Sequence, residues 1–279
     1  MDTTPEPSSP QPPAALAWAD GHVIPAGEAT VPLTDEGFLR GDAVFESMLV
    51  RGGRTHARER HLARLHRSAA ALDLEIDDDR VRQAIAEVLA AWGARDGAVR
   101  VIVTRGGTIR ALAAAADWPA SIALEVVEAP WRTAISGVKT LSYAANQWAV
   151  RRARAAGADD ALIVDGGDVH ELPTGAIVLV HDGRCSTPDP ERLPILDSVS
   201  VRVLAEVTDV SRTRPTLDDL RTADEALALS ATRPCLPVHA IHLGGDEHLT
   251  FPAPGPVTTG LQRAVTEHIA ATLDPVDAP

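Results

Sequence analysis

"ISGVKTLSYAANQ", residues 135–147, contains the only lysine of the chain, Lys139, and its only tyrosine, Tyr143. All the other cationic side chains among the 26 lysine and arginine residues are arginine. A guanidinium stays protonated, whereas a desolvated lysine amine can lose its proton and attack a carbonyl carbon to form a Schiff base. The single lysine therefore predicts a nucleophilic role for Lys139, although a lysine on a solvated surface remains the alternative from the count alone.

Length and composition restrict the class of protein. The 279 residues, 45% of them hydrophobic, are enough for one large or two modest domains with a buried core. The net charge of -13 argues against a nucleic-acid or membrane partner held by a general electrostatic field. Cys185 and Cys235 are too few for a disulfide framework, and no apolar run approaches the roughly 20 residues that span a bilayer. We expect a globular cytoplasmic protein that binds no membrane.

The N-terminal half shows three kinds of pattern. Residues 1–14 are rich in proline and serine and predict a disordered tail. Residues 15–130 alternate strand-like segments with two helical segments and predict a small α+β domain. The helical segments space their apolar residues by three or four positions: Leu62, Leu65, Ala69 and Leu72, then Val81, Ile85, Val88, Leu89 and Trp92.

The C-terminal half begins after two residues that interrupt regular structure. Pro130 and Gly137 predict an interdomain connection over residues 131–137, followed by a larger domain over residues 138–279. We expect this domain to open with a strand that carries Lys139. The period of two would then place Tyr143 on the same face as the lysine. A core tyrosine is the alternative.

A Schiff-base lysine most often binds pyridoxal 5'-phosphate, and that cofactor requires further groups. A carboxylate must face the pyridine nitrogen to keep it protonated. The phosphate requires an arginine and the free backbone N–H groups of a helix N-terminus.

Five stretches with suitable residues follow one another along the chain. They are DEGFLRGDAVFES with RHLARLHRSA, KTLSYAANQ, GADDALIVDGGDVHELPTGAI, LPILDSVSVRVL and ADEALALSATRPCLPVHAI. In wording and order the chain resembles the class-IV aminotransferase family, pyridoxal-phosphate enzymes of fold type IV, over about residues 18–272. The resemblance implies a two-domain fold of α+β and α/β type, with a small N-terminal domain and a larger C-terminal pseudo-barrel domain. It also implies a homodimer whose active sites include residues of the partner.

The resemblance also implies roles for individual residues. Lys139 would bind the cofactor through a Schiff base and move the substrate proton. Glu171 would face the pyridine nitrogen, and Arg64 would bind the phosphate. Further cofactor contacts are implied at Tyr143, Ser198, Val199, Ser200, Ser230 and Ala231.

Three residues are candidates for binding the substrate. Arg40 and Arg105 flank glycines at turns or strand ends, where a guanidinium could bind a carboxylate by two N–H groups. Thr174 could contribute a hydroxyl. For the arginines an ordinary surface position is the alternative, and for Thr174 a turn cap. Arg40 is expected to serve the site of a partner subunit.

Two residues depart from the family pattern. Ser198 stands where the phosphate-binding loop usually has glycine, and Asp197 puts a negative charge beside a site for a dianion. We therefore expect weaker cofactor binding than is usual, with Ser200 as the N-cap of the following helix. A pyridoxal-phosphate-binding protein without catalysis remains an alternative.

The reaction is open between two main candidates. KTLSYAANQ, LPILDSVS and SATRPCLPV resemble the 4-amino-4-deoxychorismate lyase branch, which forms 4-aminobenzoate and pyruvate, more than the branched-chain aminotransferases. D-amino-acid transaminase is the alternative, followed by branched-chain or amine transaminase. The expected substrate is a small-molecule amino-carboxylate, and a carboxylate-binding arginine serves either of the first two reactions.

Overall fold

The computed structural model describes residues 14–129 and 133–276. The predicted tail, residues 1–14, lies outside the described residues except for its last position. Within the described ranges, the first sheet has six strands in the order β2-β1-β6-β5-β3-β4. The strands are β1 (Ala15–Ala19), β2 (His22–Pro25), β3 (Ala43–Arg51), β4 (Arg54–Thr55), β5 (Gly97–Thr104) and β6 (Ile109–Ala114).

Helices α1 (Glu36–Arg40), α2 (Arg58–Ala70) and α3 (Asp78–Trp92) belong to this first part of the chain. The predicted helical periodicity of α2 and α3 is confirmed, because their apolar positions face the sheet in one buried cluster. Asp77 caps α3 by accepting a hydrogen bond from the Arg80 N–H. Gly93 ends the helix with a φ of +70°, which favours glycine.

The second sheet has nine strands among the described residues, in the order β12-β11-β10-β13-β14-β7-β8-β9, with β15 paired to β14. Side chains alternate along β10, so that Ile177 and Leu179 join one buried cluster and Val178 and Val180 another. Both faces of this sheet are therefore covered. The strands are β7 (Ile122–Glu128), β8 (Asp160–Asp165), β9 (Asp168–Val169), β10 (Ala176–His181), β11 (Arg184–Pro188), β12 (Val210–Thr213), β13 (Glu225–Leu229), β14 (Leu236–Gly244) and β15 (Glu247–Thr250).

In the described part of the chain, four helices accompany the second sheet: α4 (Ala144–Ala155), α5 (Val199–Leu204), α6 (Leu217–Thr222) and α7 (Pro256–Ala271). α4 connects the parallel neighbours β7 and β8, which require a long crossover between them. The same crossover contains Lys139, which precedes α4 by five residues.

The chain passes from the first sheet to the second in the connection over residues 115–121. β7 lies within the segment predicted as the N-terminal domain, yet it is hydrogen-bonded between β14 and β8. The change of sheet therefore comes earlier than the predicted connection at 131–137, of which residues 131 and 132 lie outside the described residues.

The predicted strand around Lys139 is wrong. Outside the named strands, this segment makes one isolated bridge, between Thr140 and Val44 of β3. Tyr143 is already the N-cap residue of α4, so the period of two does not relate it to Lys139. Pairing stops because the backbone turns into the helix immediately after this contact.

Candidate active site

A cavity of about 810 Å³ lies between the two sheets. Phe45 of β3 and Arg100 of β5 line it from the first sheet, while Ala176 of β10 and Leu229 of β13 line it from the second. The structure brings most of the predicted site residues together on its walls: Arg64, Lys139, Tyr143, Glu171, Thr174, Ser198, Ser200, Ser230 and Ala231.

Lys139 is held by backbone contacts to the small-domain side of the cavity. Its carbonyl accepts a hydrogen bond from the Phe45 N–H at 3.1 Å, and its own N–H donates to Ser68 Oγ at 3.1 Å. The Nζ atom lies 4.4 Å from the centroid of the Phe45 ring. Loss of water, followed by the charge of Arg64, lowers the pKa of Lys139 to about 8. A tenth of the amine is then neutral near pH 7, as a nucleophile requires.

Tyr143 packs its ring against Phe45 in an edge-to-face contact, with 5.2 Å between the centroids. Burial, followed by the charge of Glu171, raises the pKa of Tyr143 to about 12. The phenol therefore stays protonated at neutral pH and can donate a hydrogen bond into the cavity.

Arg64 of α2 is fixed by Glu46 of β3, which is fully buried. Its Nε and Nη2 atoms donate to the two carboxylate oxygens of Glu46 at 2.6 and 2.8 Å. His61 Nδ1 lies 2.7 Å from the same carboxylate. Burial alone would raise the pKa of Glu46, but Arg64 and then His61 lower it to about 2. We call Glu46, His61 and Arg64 the Arg64 cluster.

Neither Glu46 nor His61 was predicted as a site residue. A signal was present for Glu46, since it is the one acidic residue in the apolar strand AVFESMLV. An acid in such a strand needs a buried partner. The sequence alone does not say that Arg64, 18 residues later, is that partner.

The segment before α5 connects the Arg64 cluster to the second domain. The Asp197 carbonyl accepts a hydrogen bond from Arg64 Nη1 at 3.1 Å. Its carboxylate instead contacts Arg202, Arg212 and Arg67. Burial would raise the pKa of Asp197, but Arg202 and its neighbours lower it. The negative charge expected beside the phosphate site is therefore compensated by three arginines.

Ser198, and not Ser200, is the N-cap of α5. Its hydroxyl accepts a hydrogen bond from the Val201 N–H at 3.4 Å. The backbone of Ser198 is extended, with a φ of -73°, so this position does not require glycine. Val199, the first residue of α5, is buried and lies outside the lining of the cavity.

Glu171 lies between β9 and β10, where its Oε2 atom accepts a hydrogen bond from the Leu196 N–H at 3.1 Å. The turn that follows includes Gly175, at which a Cβ atom would lie 2.6 Å from the Leu229 carbonyl oxygen. The absence of a side chain lets the start of β10 approach β13. This packing keeps Glu171 and Thr174 on the cavity wall.

Arg40 and Arg105 do not line the cavity of this chain. Arg40 is exposed on α1 and pairs with Glu36. Arg105 binds the Asp42 carboxylate and the carbonyls of Leu72 and Asp73. A substrate contact by either residue stays a prediction. Among the residues that the structure describes, the other arginines that line the cavity are Arg100 and Arg233, neither of which was predicted as a site residue.

These features place a lysine amine with a lowered pKa, a carboxylate and a buried arginine on one cavity between the two sheets. The sequence matches the family described as amino-transferase class IV over residues 43–241, and the chain belongs to this family. It is 33% identical over 221 residues to a protein of Mycobacterium tuberculosis named bifunctional aminodeoxychorismate lyase / D-amino acid transaminase, covering 67% of this chain and 76% of that protein. It is 26% identical over 277 residues to a D-alanine aminotransferase of Listeria monocytogenes, covering 90% and 94% of the two chains.

Solved structures show the same fold. A hypothetical aminotransferase from Mycobacterium tuberculosis in its PLP-bound form has a TM-score of 0.81 at 28% identity, covering 92% of this chain and 99% of that one. A fold IV-transaminase from Curtobacterium pusillum has a TM-score of 0.79 at 26% identity, covering 90% and 98%. The predicted fold type and family are therefore confirmed.

Pyridoxal phosphate is the cofactor of this family, and the cavity fits it. Its volume is in the range of roughly 300–1,000 Å³ that holds cofactors and ligands. Lys139 supplies an amine with a lowered pKa, and Glu171 a carboxylate that lines the same cavity. Arg64 is oriented by Glu46 and faces the segment that begins α5, where a phosphate would find further N–H groups. Across the residues that the structure describes, no helix is long and apolar enough to cross a membrane.

Proposed function

We propose that this enzyme acts as a 4-amino-4-deoxychorismate lyase. The observation that carries the proposal is the convergence of Lys139, Glu171 and Arg64 on one large cavity. The choice of the lyase within the family is supported by the name of the Mycobacterium tuberculosis relative and by the wording of KTLSYAANQ.

Bound in this cavity, pyridoxal phosphate would supply an electron sink for the bonds next to the substrate amine. Arg64 would hold the phosphate, and Glu171 would keep the ring nitrogen protonated. The Lys139 amine anchors the cofactor and, once released, accepts the proton that the amine-bearing carbon of the substrate loses. Tyr143, protonated because its pKa is about 12, can donate a hydrogen bond into the same cavity.

The lyase reaction requires no second substrate. After the amine-bearing carbon loses its proton, the neighbouring C–O bond breaks and its electrons leave with the enolpyruvyl group. That group takes up a proton and becomes pyruvate, while the ring becomes aromatic as 4-aminobenzoate. Atoms and electrons balance without water or an oxidant. Lys139 can both accept the first proton and return one to the leaving group.

D-amino-acid transaminase is the second candidate, supported by the names of the relatives from Mycobacterium tuberculosis and Listeria monocytogenes. It would use the same proton acceptor but needs a 2-oxo acid to complete a cycle. Arg100 is placed for the substrate carboxylate in either reaction, because it lines the cavity beside Phe45 with 5.0 Å from its guanidinium carbon to the ring centroid.

The test is to supply the holoenzyme with 4-amino-4-deoxychorismate and, separately, with D-alanine or D-glutamate without an acceptor. Equal amounts of 4-aminobenzoate and pyruvate from the first substrate support the lyase. Conversion of the cofactor band to its pyridoxamine form by a D-amino acid, with no 4-aminobenzoate, supports the transaminase and contradicts the lyase. Lys139→Ala is the control for non-enzymatic breakdown of the substrate.

We also propose that the chain forms a homodimer in the cytoplasm. Apolar side chains are exposed together on α1 and the segment before it, including Leu33 at 74% and Phe38 at 62% exposure. Such a patch is typical of a surface covered by another copy. Light scattering during gel filtration tests the dimer, and a monomer at micromolar concentration would contradict it.

A further inference from the structure

Arg233 is a buried cation on the cavity wall that none of the roles above uses. It is 5% exposed and closes a tight turn after β13, in which Ser230 and Arg233 exchange two backbone hydrogen bonds. Its guanidinium carbon lies 4.4 Å from the centroid of the Trp118 ring. Trp118 belongs to the connection between the two sheets and also lines the cavity. The guanidinium is therefore held in one plane against an indole face.

The hydrogen bonds of Arg233 do not neutralise its charge. Nη2 donates to Thr174 Oγ1 at 2.6 Å and Nε to Ser230 Oγ at 3.3 Å, and both acceptors are neutral hydroxyls. The acidic partner is Asp160, whose Oδ2 atom lies 3.5 Å from Nη1, at the limit of a hydrogen bond. Burial lowers the pKa of Arg233 and raises that of Asp160, so neither charge is well compensated by the other. A guanidinium has five N–H donors, and these three contacts leave some of them for a ligand.

We propose that Arg233, framed by Thr174, Ser230 and Trp118, binds a second carboxylate of the substrate. A planar guanidinium fork matches a carboxylate by two parallel hydrogen bonds. The site would therefore select amino compounds that carry two carboxylates over those that carry one. The proposal rests on the proposed function, because it assumes a substrate with two carboxylates. Aminodeoxychorismate and D-glutamate each have two carboxylates, whereas D-alanine has one.

A structural brace is the competing explanation for Arg233, because the side chain ties the turn at Ser230 to Thr174 and to the start of β8. The two explanations differ in the effect of Asp160. A carboxylate ligand competes with Asp160 for the guanidinium, so removal of the Asp160 charge should strengthen ligand binding. A brace would be weakened by the same change.

The experiment measures the binding of glutarate and butyrate to the holoenzyme by titration calorimetry. Both acids have a short carbon chain and no amine, so neither can react, and glutarate has one carboxylate more. We expect the holoenzyme to prefer glutarate. Arg233→Gln should weaken glutarate binding about 10- to 100-fold, the range for a hydrogen-bonded charged group, and leave butyrate unchanged. Asp160→Asn should strengthen glutarate binding severalfold.

Arg95→Gln is the matched control. Arg95 also stacks on a tryptophan, with its guanidinium carbon 3.6 Å from the Trp92 ring centroid, but it does not line the cavity. The Arg95→Gln variant should bind glutarate with the same affinity as the parent protein. Arg233→Lys keeps the charge and should show an intermediate affinity if the folded protein tolerates the change.

Three results would overturn the proposal. They are equal affinity of the parent for the two acids, unchanged glutarate binding in Arg233→Gln, and equal losses for both acids with a lower melting temperature. Because neither acid is a substrate, the outcome is independent of whether the enzyme releases 4-aminobenzoate. A failed lyase assay with a preserved glutarate preference would contradict the proposed function alone.

Discussion

Two buried arginines line the same cavity and differ in how their charges are balanced. Arg64 binds both oxygens of Glu46 at 2.6 and 2.8 Å, and although burial would lower its pKa, Glu46 raises it. Arg233 reaches Asp160 at 3.5 Å, and burial lowers its pKa. The exposures, 6% and 5%, are almost equal. Burial therefore does not explain the difference, and the position of the counter-ion does.

The two counter-ion arrangements suit different roles for a buried arginine: one fixes the orientation of the guanidinium, and the other leaves its charge available to a ligand. A buried ion pair with good geometry holds its members in one orientation, whereas a poorly paired buried charge keeps a free energy of desolvation that a ligand can offset. Lys139 resembles Arg233 in this respect, since burial and the charge of Arg64 lower its pKa more than Glu46 and Glu171 raise it. The Arg64 guanidinium is therefore fixed by its counter-ion, whereas the Lys139 amine and the Arg233 guanidinium are buried with weaker charge compensation, as the roles proposed for them require.

The largest effect is expected at Lys139. Lys139→Ala should reduce turnover by at least about 10³-fold, because it removes both the anchoring amine and the general base. Lys139→Arg is the matched variant, since it keeps a cation but not an amine that can lose its proton, and it should be equally inactive. The measurement is product formation together with the visible spectrum of the reconstituted protein. Substantial activity in Lys139→Arg would show that a positive charge at this position suffices for turnover. It would contradict the view that Lys139 is buried in order to lose its proton.

The reactivity of the lysine amine tests its lowered pKa directly. At pH 7 a group with a pKa of about 8 is roughly one-tenth neutral, against about 0.03% for an ordinary lysine, a difference of about 300-fold. Labelling of the cofactor-free protein with trinitrobenzenesulfonate should therefore show a midpoint near pH 8. The chain has one lysine, so labelling of the Lys139→Ala variant reports the backbone amine at the N-terminus alone and can be subtracted from the rate of the parent. A labelling rate that keeps rising tenfold per pH unit up to pH 10 would contradict this.

The Glu46 carboxylate should contribute most to stability. Glu46→Gln leaves Arg64 buried without its counter-charge, which costs about 3–5 kcal/mol. The folded pKa of about 2 lies below the value of 4.5 for an unpaired glutamate, so this contribution is present above about pH 4.5 and is lost as the pH falls towards 2. Urea unfolding at pH 7 and at several lower pH values measures both effects.

Asp160→Asn is the matched variant for the other arginine. Because the folded environment raises the pKa of Asp160, its ionised form gains little from Arg233, and we expect a loss below about 1 kcal/mol at pH 7. An equal cost for the two variants would remove the distinction between the clusters. A Glu46→Gln deficit that does not change with pH would show that packing, and not the carboxylate charge, is responsible.

The sequence predicted the parts of this arrangement that depend on local pattern or on motif order. The helical periodicity of α2 and α3 is visible along the chain, and the order of motifs selected Arg64, Lys139 and Glu171. The partners of the arginines could not be predicted, because Glu46 and Arg64 are 18 residues apart and Arg233 meets Asp160 only after β8 and β13 enter one sheet.

The predictions at Lys139 and at the turn arginines show two further limits. Lys139 lies in an irregular crossover, since its pairing with β3 ends after one bridge, and alternation gives no information about such a segment. Arg40 and Arg105 were selected as arginines beside glycines; in this chain Glu36 and Asp42 bind them away from the cavity, so their substrate contacts, with Arg40 in the site of a partner subunit, stay predictions. Local sequence does not reveal which side of a turn faces a cavity.

The smallest effect is expected at Ser198, where the sequence suggested that the loss of a glycine weakens cofactor binding. Ser198→Gly should change stability by only a few tenths of a kcal/mol and cofactor affinity by less than about twofold, because serine and glycine are both good N-caps. Its φ of -73° needs no glycine. Gly175, near Arg233, is the contrasting position, because there a glycine is required. In Gly175→Ala the added Cβ would lie 2.6 Å from the Leu229 carbonyl oxygen, and the free energy of unfolding should fall by about 1–3 kcal/mol. Melting curves and equilibrium titration with pyridoxal phosphate measure both variants. A tenfold gain in affinity for Ser198→Gly would mean that the serine, and not the Arg64 cluster, limits cofactor binding.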